Sequence, residues 1–575
     1  MLIHGEAHCQ RSLSNHPLAP VPVLPASAMF PASNSRYLRS FFLRLLAYLT
    51  CLLSVTSCGK RETAVDAGLR TATLEISNGG EPGELDPHII NAGPDYQIVP
   101  AFFEGLLNFE PTTLTPTPGV AESWIVSPNG LTYTFTLRAN AKWSNGEPFT
   151  SADFLYSFRR ALAPALGSQY TLLFDPVRGA ADYAAGKLTD FAAVGFAAPD
   201  LHTVVITLAH ATPYFLGMIA GNPIWFPVHR ATIERHGKID QRGTGWTRAG
   251  QLVGNGAFTL KEWRPNQVIV AEKSPHYWDA AHVRLQTLRI HAIDSLDAEE
   301  RSFRAGQLHI SNLPLAKANA LFAAKSPLLL VTPGLNSRFI NVNTARPALN
   351  DARVRRALSL AIDLPRITAR IDTASMIAAD GIIPTGMAGY SRQARITYDP
   401  ATARSLLAAA GFPAGAGFPK LELSTITGGS LELTQAIQQS WRTELGIQIE
   451  IITLESRTHW DQMHAKNYDL ALAGWNADYP DASTFLDLWK SGGGWNFTHW
   501  ADARYDALLA QAGTTLEPAT RLTQLQACEA RLLEEMPVIP IAFSRFLRLV
   551  HPSVRGWHAS STDRPDYRPI WLAAP

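Results

Sequence analysis

The sequence predicts an α/β fold with a parallel sheet, and the pattern between residues 420 and 475 is the main reason. Strand-like and helix-like segments alternate there, in the order 421–426 (strand), 433–445 (helix), 447–452 (strand), 459–465 (helix) and 468–475 (strand). A β-α-β-α-β order implies parallel strands with helices on the faces of the sheet. With 575 residues, 46% of them apolar, the chain has enough material for several domains or one large bilobed unit.

Composition excludes several classes of protein. The 50 basic and 49 acidic side chains nearly balance, so we expect no nucleic-acid partner, which would need concentrated Lys and Arg. The apolar content is too high for a disordered chain, and a mean hydropathy of −0.03 is too low for a protein with many membrane spans. Four cysteines are too few for a disulfide framework.

The first part of the chain has the pattern of an export signal over residues 36–57. Arg36, Arg39 and Arg44 give it a positive start, and the apolar run that follows is too short to span a bilayer. Small residues then precede Cys58, which resembles the lipobox of bacterial lipoproteins, where the thiol carries the lipid. We therefore expect a lipid anchor on Cys58, with an ordinary signal followed by a chance cysteine as the alternative.

Two expectations follow for the residues around this signal. Residues 1–28 are Pro-rich and carry no positive segment of their own, so we expect translation to start at Met29 and residues 1–57 to be removed. Residues 58–70 are polar and aperiodic, which is typical of a tether between a lipid anchor and a folded body. Only Cys58 and Cys528 would remain, so the exported protein must be stable without disulfides.

Local signals mark individual elements of the body. Residues 131–137 alternate between apolar and polar side chains and predict a strand. Asn145-Gly146 predicts a tight turn, and Thr150 with Asp153 forms a capping box before a helix over 154–161. These signals predict a strand, a turn and a helix in succession.

Two later helices are marked at their ends. Asn350-Asp351 precedes an apolar stripe at helical spacing, formed by Val354, Ala357, Leu358, Ala361 and Ile362. Asp399 is placed to cap a helix that starts at Pro400 and that Gly411 ends.

Catalytic signatures are missing from the sequence. There is no nucleophile elbow, phosphate-binding loop, zinc-protease motif or C-x-x-C pair, and Gly254-Asn-Gly256 lacks the third glycine of a dinucleotide fingerprint, so it predicts a turn. The histidines are scattered, so His459 and His499 are interpreted as packing or surface residues. We expect no cofactor and no metal, although a metal site built from distant histidines stays open.

The loop after the third strand of the 420–475 stretch is the first candidate for a ligand site, because ligand crevices lie beyond the carboxyl ends of parallel strands. Asp478 lies in that loop, and a carboxylate in a cleft keeps water or waits for a cation. Five aromatic residues crowd around it: Trp475, Tyr479, Trp489, Trp495 and Trp500. They form either core packing or the walls of a pocket, and Asp478 either binds ligand or starts a turn.

Eight segments, in order along the chain, resemble the periplasmic oligopeptide-binding proteins of ABC importers, which are solute-binding proteins of family 5 (dipeptide, oligopeptide and nickel type). They are GELDP (83–87), FEGLL (103–107), GVAESW (119–124), LRANAKWSNGEPFT (137–150), GNGAF (254–258), SPHYW (274–278), NDARVRRAL (350–358) and AGWNADY (473–479).

This resemblance implies a bilobed α/β fold, the periplasmic-binding-protein-like fold of type II, cluster C, with the ligand in a cleft between lobes. Lobe one would comprise 71–103, 231–332 and 546–575, an inserted domain 104–230, and lobe two 333–545. The chain would cross the hinge near Thr332-Pro-Gly334 and near Ile539-Pro540.

The resemblance also implies a set of ligand-binding residues. Family members hold a peptide as an extended strand, so main-chain partners are expected on both sides of the cleft. Asp478 matches the aspartate that pairs with the peptide ammonium. The other expected residues are Asn91, Ala92 and Gly93 on one side, Gly474, Trp475 and Asn476 on the other, and Tyr170 and Asn496 in side-chain pockets.

The chain departs from the family at the basic residues that receive the peptide carboxylate in some members. Met463 and Leu472 stand at two of these positions, and Ser430 aligns loosely with a histidine. The ammonium anchor is kept while the carboxylate anchors are lost. That fits longer, amidated or cross-linked peptides, or a ligand with an amine and no carboxylate.

Three hypotheses remain from the sequence. The first is a monomeric periplasmic lipoprotein, not an enzyme, that binds oligopeptides and delivers them to an ABC permease and ATPase complex in the inner membrane. The second keeps the fold and replaces the peptide by a nickel or other metal chelate, haem or a cationic small molecule. The third is an envelope hydrolase that uses Asp478 and a distant histidine.

Overall fold

The computed structural model describes residues 62–427, 431–558 and 560–574. The predicted export signal, Met29, Cys58 and Ser430 lie outside the described residues. Within the described ranges, no helix is both long enough and apolar enough to cross a bilayer.

The described chain forms twenty strands and sixteen α-helices, joined by loops and short 3-10 helices. The strands are β1 Thr73–Ser77, β2 Leu107–Phe109, β3 Pro116–Pro118, β4 Ala121–Val126, β5 Thr132–Leu137, β6 Phe196–Asp200, β7 Thr203–Thr207, β8 Phe258–Arg264, β9 Val268–Lys273, β10 Thr287–His291, β11 Ile310–Ser311, β12 Leu329–Pro333, β13 Asn336–Val342, β14 Met376–Ala378, β15 Leu421–Ile426, β16 Ile449–Leu454, β17 Leu470–Asn476, β18 Val538–Val550, β19 Val554–Arg555 and β20 Trp571–Leu572. The helices are α1 Ala64–Thr71, α2 Gly93–Phe102, α3 Ser151–Ala161, α4 Ala180–Ala184, α5 Phe215–Ile219, α6 Arg230–His236, α7 Leu296–Arg304, α8 Leu315–Ala323, α9 Ala352–Leu360, α10 Leu364–Ile371, α11 Pro400–Ala409, α12 Leu431–Leu445, α13 Ser456–His464, α14 Ser483–Leu486, α15 Ala503–Thr514 and α16 Pro518–Glu535.

The local signals are confirmed. β5 covers the alternating segment, and Gly146 takes a left-handed φ of +88° in a turn where its N–H donates to the carbonyl of Trp143. Asp153 accepts a hydrogen bond from the backbone N–H of Thr150 at 2.7 Å, so the capping box starts α3. Asp351 and Asp399 cap α9 and α11 as predicted.

The alternating stretch is also confirmed, with small shifts at the ends of its elements. β15 pairs in parallel with β16 on one side and with β17 on the other. The helices α12 and α13 connect these strands in the predicted order. The apolar face of α12, including Ile437 and Trp441, is buried in the core beneath the sheet.

The structure differs from the predicted polar tether over residues 58–70 after Thr63. Residues 64–71 form α1, which a capping box between Thr63 and Asp66 starts. Val65 and Gly68 are buried, and an added side-chain atom at Gly68 would meet the ring of His309 at 2.7 Å. The helix therefore belongs to the folded body, because the small buried face formed by Val65 and Gly68 packs against it.

A twelve-stranded sheet in the described residues has the strand order β16-β15-β17-β13-β18-β11-β1-β10-β9-β8, and β12 and β14 also pair with β18. We call β1 with β8–β12 its first half and β13–β17 its second half. β18 is hydrogen-bonded into both halves: Val538–Ala542 pairs with β13, and Arg545–Leu549 pairs with β12. Ile539 and Pro540 lie in the part of β18 that pairs with β13. β18 therefore passes from the second half to the first half a few residues later, between Ala542 and Arg545.

A separate four-stranded sheet, β4-β5-β7-β6, lies in the chain between the first strands of the main sheet. Its apolar side packs with α3 into a core rich in aromatic rings, including Phe135, Phe158 and Trp225. The two halves of the main sheet have their own cores, around Leu288 in the first half and Ile340 in the second.

A buried ion pair ties the inserted sheet to the first half. Arg160 of α3 donates to both oxygens of Asp86, from Nη1 to Oδ1 at 2.9 Å and from Nη2 to Oδ2 at 2.5 Å, and the side chains are 0% and 3% exposed. Burial raises the pKa of Asp86, but Arg160 outweighs that effect and the net pKa lies below the ordinary value. Burial and Arg160 together lower the pKa of the neighbouring His88 to about 4, so its ring stays neutral.

We expect Asp86→Ala to lower the free energy of unfolding by about 3–5 kcal/mol, because the change leaves a buried guanidinium without its partner. Urea unfolding followed by circular dichroism measures the loss. The double variant Asp86→Leu/Arg160→Met should recover most of it, since two apolar side chains leave no unpaired charge. A loss in the double variant as large as in the single one would contradict this account.

Candidate functional site

A cavity of about 570 Å³ lies beside the carboxyl end of β17, at the loop to which the strand topology points. Segments from all parts of the body contribute to it: the start of α2, the inserted region, the end of α13, β17 with its following loop, β18 and the C-terminal segment. Its lining residues are Asn91, Gly93, Tyr96, Gln97, Gln169, Tyr170, Trp460, His464, Gly474, Trp475, Asn476, Ala477, Asp478, Trp495, Phe546, Thr562, Asp563 and Arg564.

One edge of β17 is open toward this cavity. On one side β17 pairs with β13 along its whole length, but on the other β15 reaches only Leu470 and Ala471. Odd-numbered residues bond to β13, as the Asp469 carbonyl and Ala477 N–H show, so the main-chain groups of even-numbered residues point the other way. The Leu472 carbonyl is taken by His459 at 3.1 Å, which leaves the N–H and C=O of Gly474 and Asn476 facing the cavity.

Asp478 lies directly beyond this open edge. The N–H of Ala477 donates to the Leu335 carbonyl at 2.8 Å, and the N–H of Asp478 donates to Thr484 Oγ1 at 3.2 Å. Tyr479 stacks on Tyr214 with ring centroids 5.2 Å apart. The backbone on both sides of the carboxylate is therefore fixed, and the side chain is held at the cavity wall.

The carboxylate itself has no hydrogen-bond or ion-pair partner within the ranges the structure describes. Burial raises the pKa of Asp478 to about 6, against a smaller lowering by the Arg564 guanidinium. A half-buried carboxylate in this state is an acceptor that favours a cationic partner. It fits an ammonium group, which supplies both charge and N–H donors.

The opposite wall contains two of the three residues expected on that side, Asn91 and Gly93. The N–H of Ala92 donates to Asp95 Oδ2 at the start of α2, and a contact of Ala92 with a ligand stays a prediction. Asn91 reaches Gln169 of the inserted region at 3.4 Å. This wall is therefore a helix entry rather than an extended strand.

Aromatic rings form a third wall. Trp475 and Trp495 meet edge to face at 4.9 Å, and Trp495 is 39% exposed. Trp460 and His464 of α13 lie beside them at the cavity. The five aromatic residues near Asp478 therefore form two groups. Tyr479, Trp489 and Trp500 are buried in the core, while Trp475 and Trp495 line the cavity.

The structure also shows where the remaining residues named from the sequence lie. Asn496 does not line the cavity; it is 2% exposed and its amide donates to the carbonyls of Trp489, Lys490 and Trp500, which organises the loop. Met463 is buried, and Leu472 packs against the core of the second half. Tyr170 does line the cavity, where its ring meets Tyr96 at 6.4 Å.

Sequence reasoning missed residues that carry no motif. His464 follows Met463 on α13, and one residue of helical rotation turns it from the core toward the cavity. Arg564 enters from the C-terminal segment, far from the other cavity residues in sequence. No pattern in the sequence distinguishes it from the neighbouring arginines.

In the described ranges, no group of three or more His, Cys, Asp or Glu side chains is arranged to hold a metal ion. His459 is buried and bonded to the Leu472 carbonyl, and His499 lies at the surface, in line with their interpretation as packing and surface residues. Cys528 is buried in α16, and burial raises the pKa of its thiol to about 12.

Comparison with known proteins identifies the site's context. The profile described as "Bacterial extracellular solute-binding proteins, family 5 Middle" matches residues 115–497. The chain is 32% identical over 526 residues to the probable deoxycholate-binding periplasmic protein YgiS of Escherichia coli K12, covering 90% of this chain and 96% of that protein. It is 31% identical to the periplasmic oligopeptide-binding protein OppA of the same organism, covering 86% and 91%. The solved Escherichia coli murein tripeptide binding protein MppA superimposes with a TM-score of 0.74 at 30% identity, covering 87% and 98%.

We expect Asp478→Asn to raise the free energy of unfolding of the ligand-free protein by about 1–2 kcal/mol at pH 8. Because the folded pKa lies near 6, above the unfolded value, the ionised carboxylate costs stability at pH values above 6, and the cost fades as the pH falls toward 4. Urea unfolding at pH 8 and pH 4 measures both values.

Asp481→Asn is the matched control in the same loop. Arg521 donates to both oxygens of Asp481, at 2.8 and 2.7 Å, so this change should destabilise the protein. A loss of stability in Asp478→Asn at pH 8 would contradict the unpaired state of Asp478.

Proposed function

The chain belongs to family 5 of the bacterial extracellular solute-binding proteins, with their bilobed fold, and from that premise we propose that it captures oligopeptides in the cavity beside β17. The two halves of the main sheet would belong to the two lobes. The domain division 71–103, 231–332 and 546–575 (lobe one), 104–230 (insertion) and 333–545 (lobe two) is part of the proposal. The separate cores of these regions support it.

The observation that carries the proposal is the open edge of β17 with Asp478 at its end. Main-chain groups of Gly474 and Asn476 face the cavity without a strand partner among the described residues. A peptide can complete such an edge by strand addition, whatever its side chains are. With its ammonium at Asp478, the peptide would run antiparallel to β17.

The energetics are sufficient for capture and release. A micromolar complex needs about −8 kcal/mol of net binding free energy. Several main-chain hydrogen bonds, at about 1 kcal/mol each, and one ammonium–carboxylate contact, at about 1.5–3 kcal/mol, supply a large part of it. Stacking against Trp475 and Trp495 adds apolar contact for a ligand side chain.

We further propose the transport context. The protein would be anchored in the cell envelope by a lipid on Cys58, act as a monomer, and deliver peptides to an ABC permease and ATPase complex without converting them. The periplasmic names of the relatives OppA and MppA support the location. Hinge closure around the ligand is the motion that such a cleft requires.

We expect Asp478→Asn to weaken binding of the tripeptide Ala-Phe-Ala by about 1.5–3 kcal/mol at pH 8, because the charge-assisted contact is lost. Acetylating the peptide's amino group should cost the wild type as much, yet cost the Asn variant little. Calorimetry on protein stripped of ligand by unfolding and refolding measures all four combinations. Equal losses from acetylation in both proteins would remove Asp478 from the ammonium site.

A second candidate ligand is a steroid carboxylate such as deoxycholate. The ring-lined wall and the name of the relative YgiS, a probable deoxycholate-binding protein, favour it. Deoxycholate has no ammonium group, so Asp478→Asn would leave its affinity unchanged or improve it. Mass spectrometry of the small molecules carried through purification also separates the candidates: mixed peptides support the first and a steroid the second, while a metal complex contradicts both.

We expect an alternating pattern when single amides of a tetrapeptide ligand are methylated. Only every second residue of a strand points its N–H toward the edge of β17, so methylation there should weaken binding about tenfold and the intervening position should respond less. Calorimetry on the methylated series provides the measurement. Uniform small effects at every position would contradict strand addition.

A further inference from the structure

The charged groups lining the cavity do not all have partners. The described lining residues include two carboxylates, Asp478 and Asp563, and one guanidinium, Arg564. Arg548 Nη2 donates to both carboxylate oxygens of Asp563, at 2.7 and 3.0 Å, so this carboxylate has a partner within the protein. Asp478 and Arg564 are left, and the two side chains form no ion pair, although the Arg564 guanidinium is near enough to lower the pKa of Asp478 somewhat.

Arg564 has few contacts for a guanidinium with five N–H donors. Its Nη1 donates one long hydrogen bond, 3.4 Å, to the Gly221 carbonyl, and its charged centre lies 5.1 Å from the centre of the Tyr96 ring. Its neighbours differ: Arg548 is paired with Asp563, and Arg568 with Asp566 and Glu104. In the described part of the chain, no carboxylate lies within ion-pair distance of Arg564.

The position of Arg564 is nevertheless built by its neighbours. Gln97 of α2 donates to the Asp563 carbonyl at 2.8 Å, and the Tyr567 hydroxyl donates back to the Gln97 carbonyl at 2.7 Å. Pro565 follows directly and restricts the backbone of Arg564. The backbone that carries Arg564 is therefore fixed, which reduces the ordering that its side chain needs when it binds a ligand.

We propose that Arg564 binds a carboxylate of the ligand while Asp478 binds its ammonium. This inference rests on the proposed capture of peptides and names the preferred class, namely peptides that carry a carboxylate a few residues from the amino terminus. Arg564 then replaces the basic residues that Met463 and Leu472 do not supply. A planar guanidinium suits this role because it can bind both oxygens of a carboxylate.

An internal role for Arg564 as the counter-ion of Asp478 explains the structure less well. The two groups make no direct contact, and burial still raises the pKa of Asp478 despite Arg564. Closure of the cleft would remove water from both groups, which costs free energy unless each gains a partner. A ligand with both charges supplies the two partners at once.

The carboxylate has two sources, the carboxyl terminus of a short peptide or an acidic side chain. The probes are Ala-Phe-Ala against its carboxyl-terminal amide, and Glu-Phe-Ala-amide against Gln-Phe-Ala-amide. Calorimetry at pH 8 keeps Asp478 ionised in every protein. We expect the wild type to favour the acid member of at least one pair by about tenfold to a hundredfold, and the responding pair identifies the source.

The variant Arg564→Gln should abolish that preference and bind the amide peptides as well as the wild type does. Arg555→Gln is the control: it removes a positive charge from the same segment, where Arg555 bonds to the Val554 carbonyl outside the cavity. This control should keep the preference. Urea unfolding of both variants verifies that the fold is retained.

Three results would overturn the inference. Equal affinities within both pairs in the wild type, or a preference that survives in Arg564→Gln, contradict the role of Arg564 and leave peptide capture intact. Failure of the wild type to bind any of the four peptides overturns the proposed function and the inference together.

Discussion

The architecture depends on one strand, β18, which is hydrogen-bonded into both halves of the main sheet. Its 13 residues pair first with β13 and then with β12, so one continuous backbone sets the register of each half against the other. Phe546, just after the passage, lines the cavity. In the proposed hinge closure the halves would pivot near this strand, because slipping its register would reverse the buried and exposed faces on either side.

The cavity is organised around groups that are left without partners inside the protein. Sheet edges are normally covered or blocked, since an open edge invites other chains to pair with it. Here the half-strand ending at Asn476 is open, but the surrounding walls restrict what can reach it. The unpaired carboxylate of Asp478 carries a cost in stability that the proposed ammonium ligand would remove on binding. The open edge of β17 and the unpaired carboxylate both lower the stability of the ligand-free protein, and the proposed peptide ligand would supply the missing partner to each.

Features that depend on residues near one another in sequence could be predicted, whereas features that depend on contacts between distant segments could not. Capping residues, the Asn-Gly turn and the alternating stretch act over a few residues, so the sequence located β5, α9, α11 and β15–β17 closely. The sequence also placed Asp478 and Gly474 correctly beside the cavity, since the strand topology and the family motif both point to the end of β17 and the loop after it. Ala92 and Asn496 do not line the cavity, since a helix cap and a loop network use their polar groups, and their contacts with a ligand stay predictions. Arg564 was missed because its place depends on contacts between distant segments.

The family assignment leaves the ligand open for a physical reason. An open strand edge binds main-chain groups and is indifferent to side chains, so relatives that share it can differ in what they carry. Discrimination must come from the walls, here the rings of Trp475 and Trp495 and the charges of Asp478 and Arg564. Asp478 belongs to the segment AGWNADY (473–479), which resembles the family, whereas Arg564 lies outside all eight segments that carry the resemblance. If Arg564 binds a ligand carboxylate as proposed, selectivity of this protein within its family would depend more on Arg564 and the ring-lined wall than on the strand that aligns the ligand.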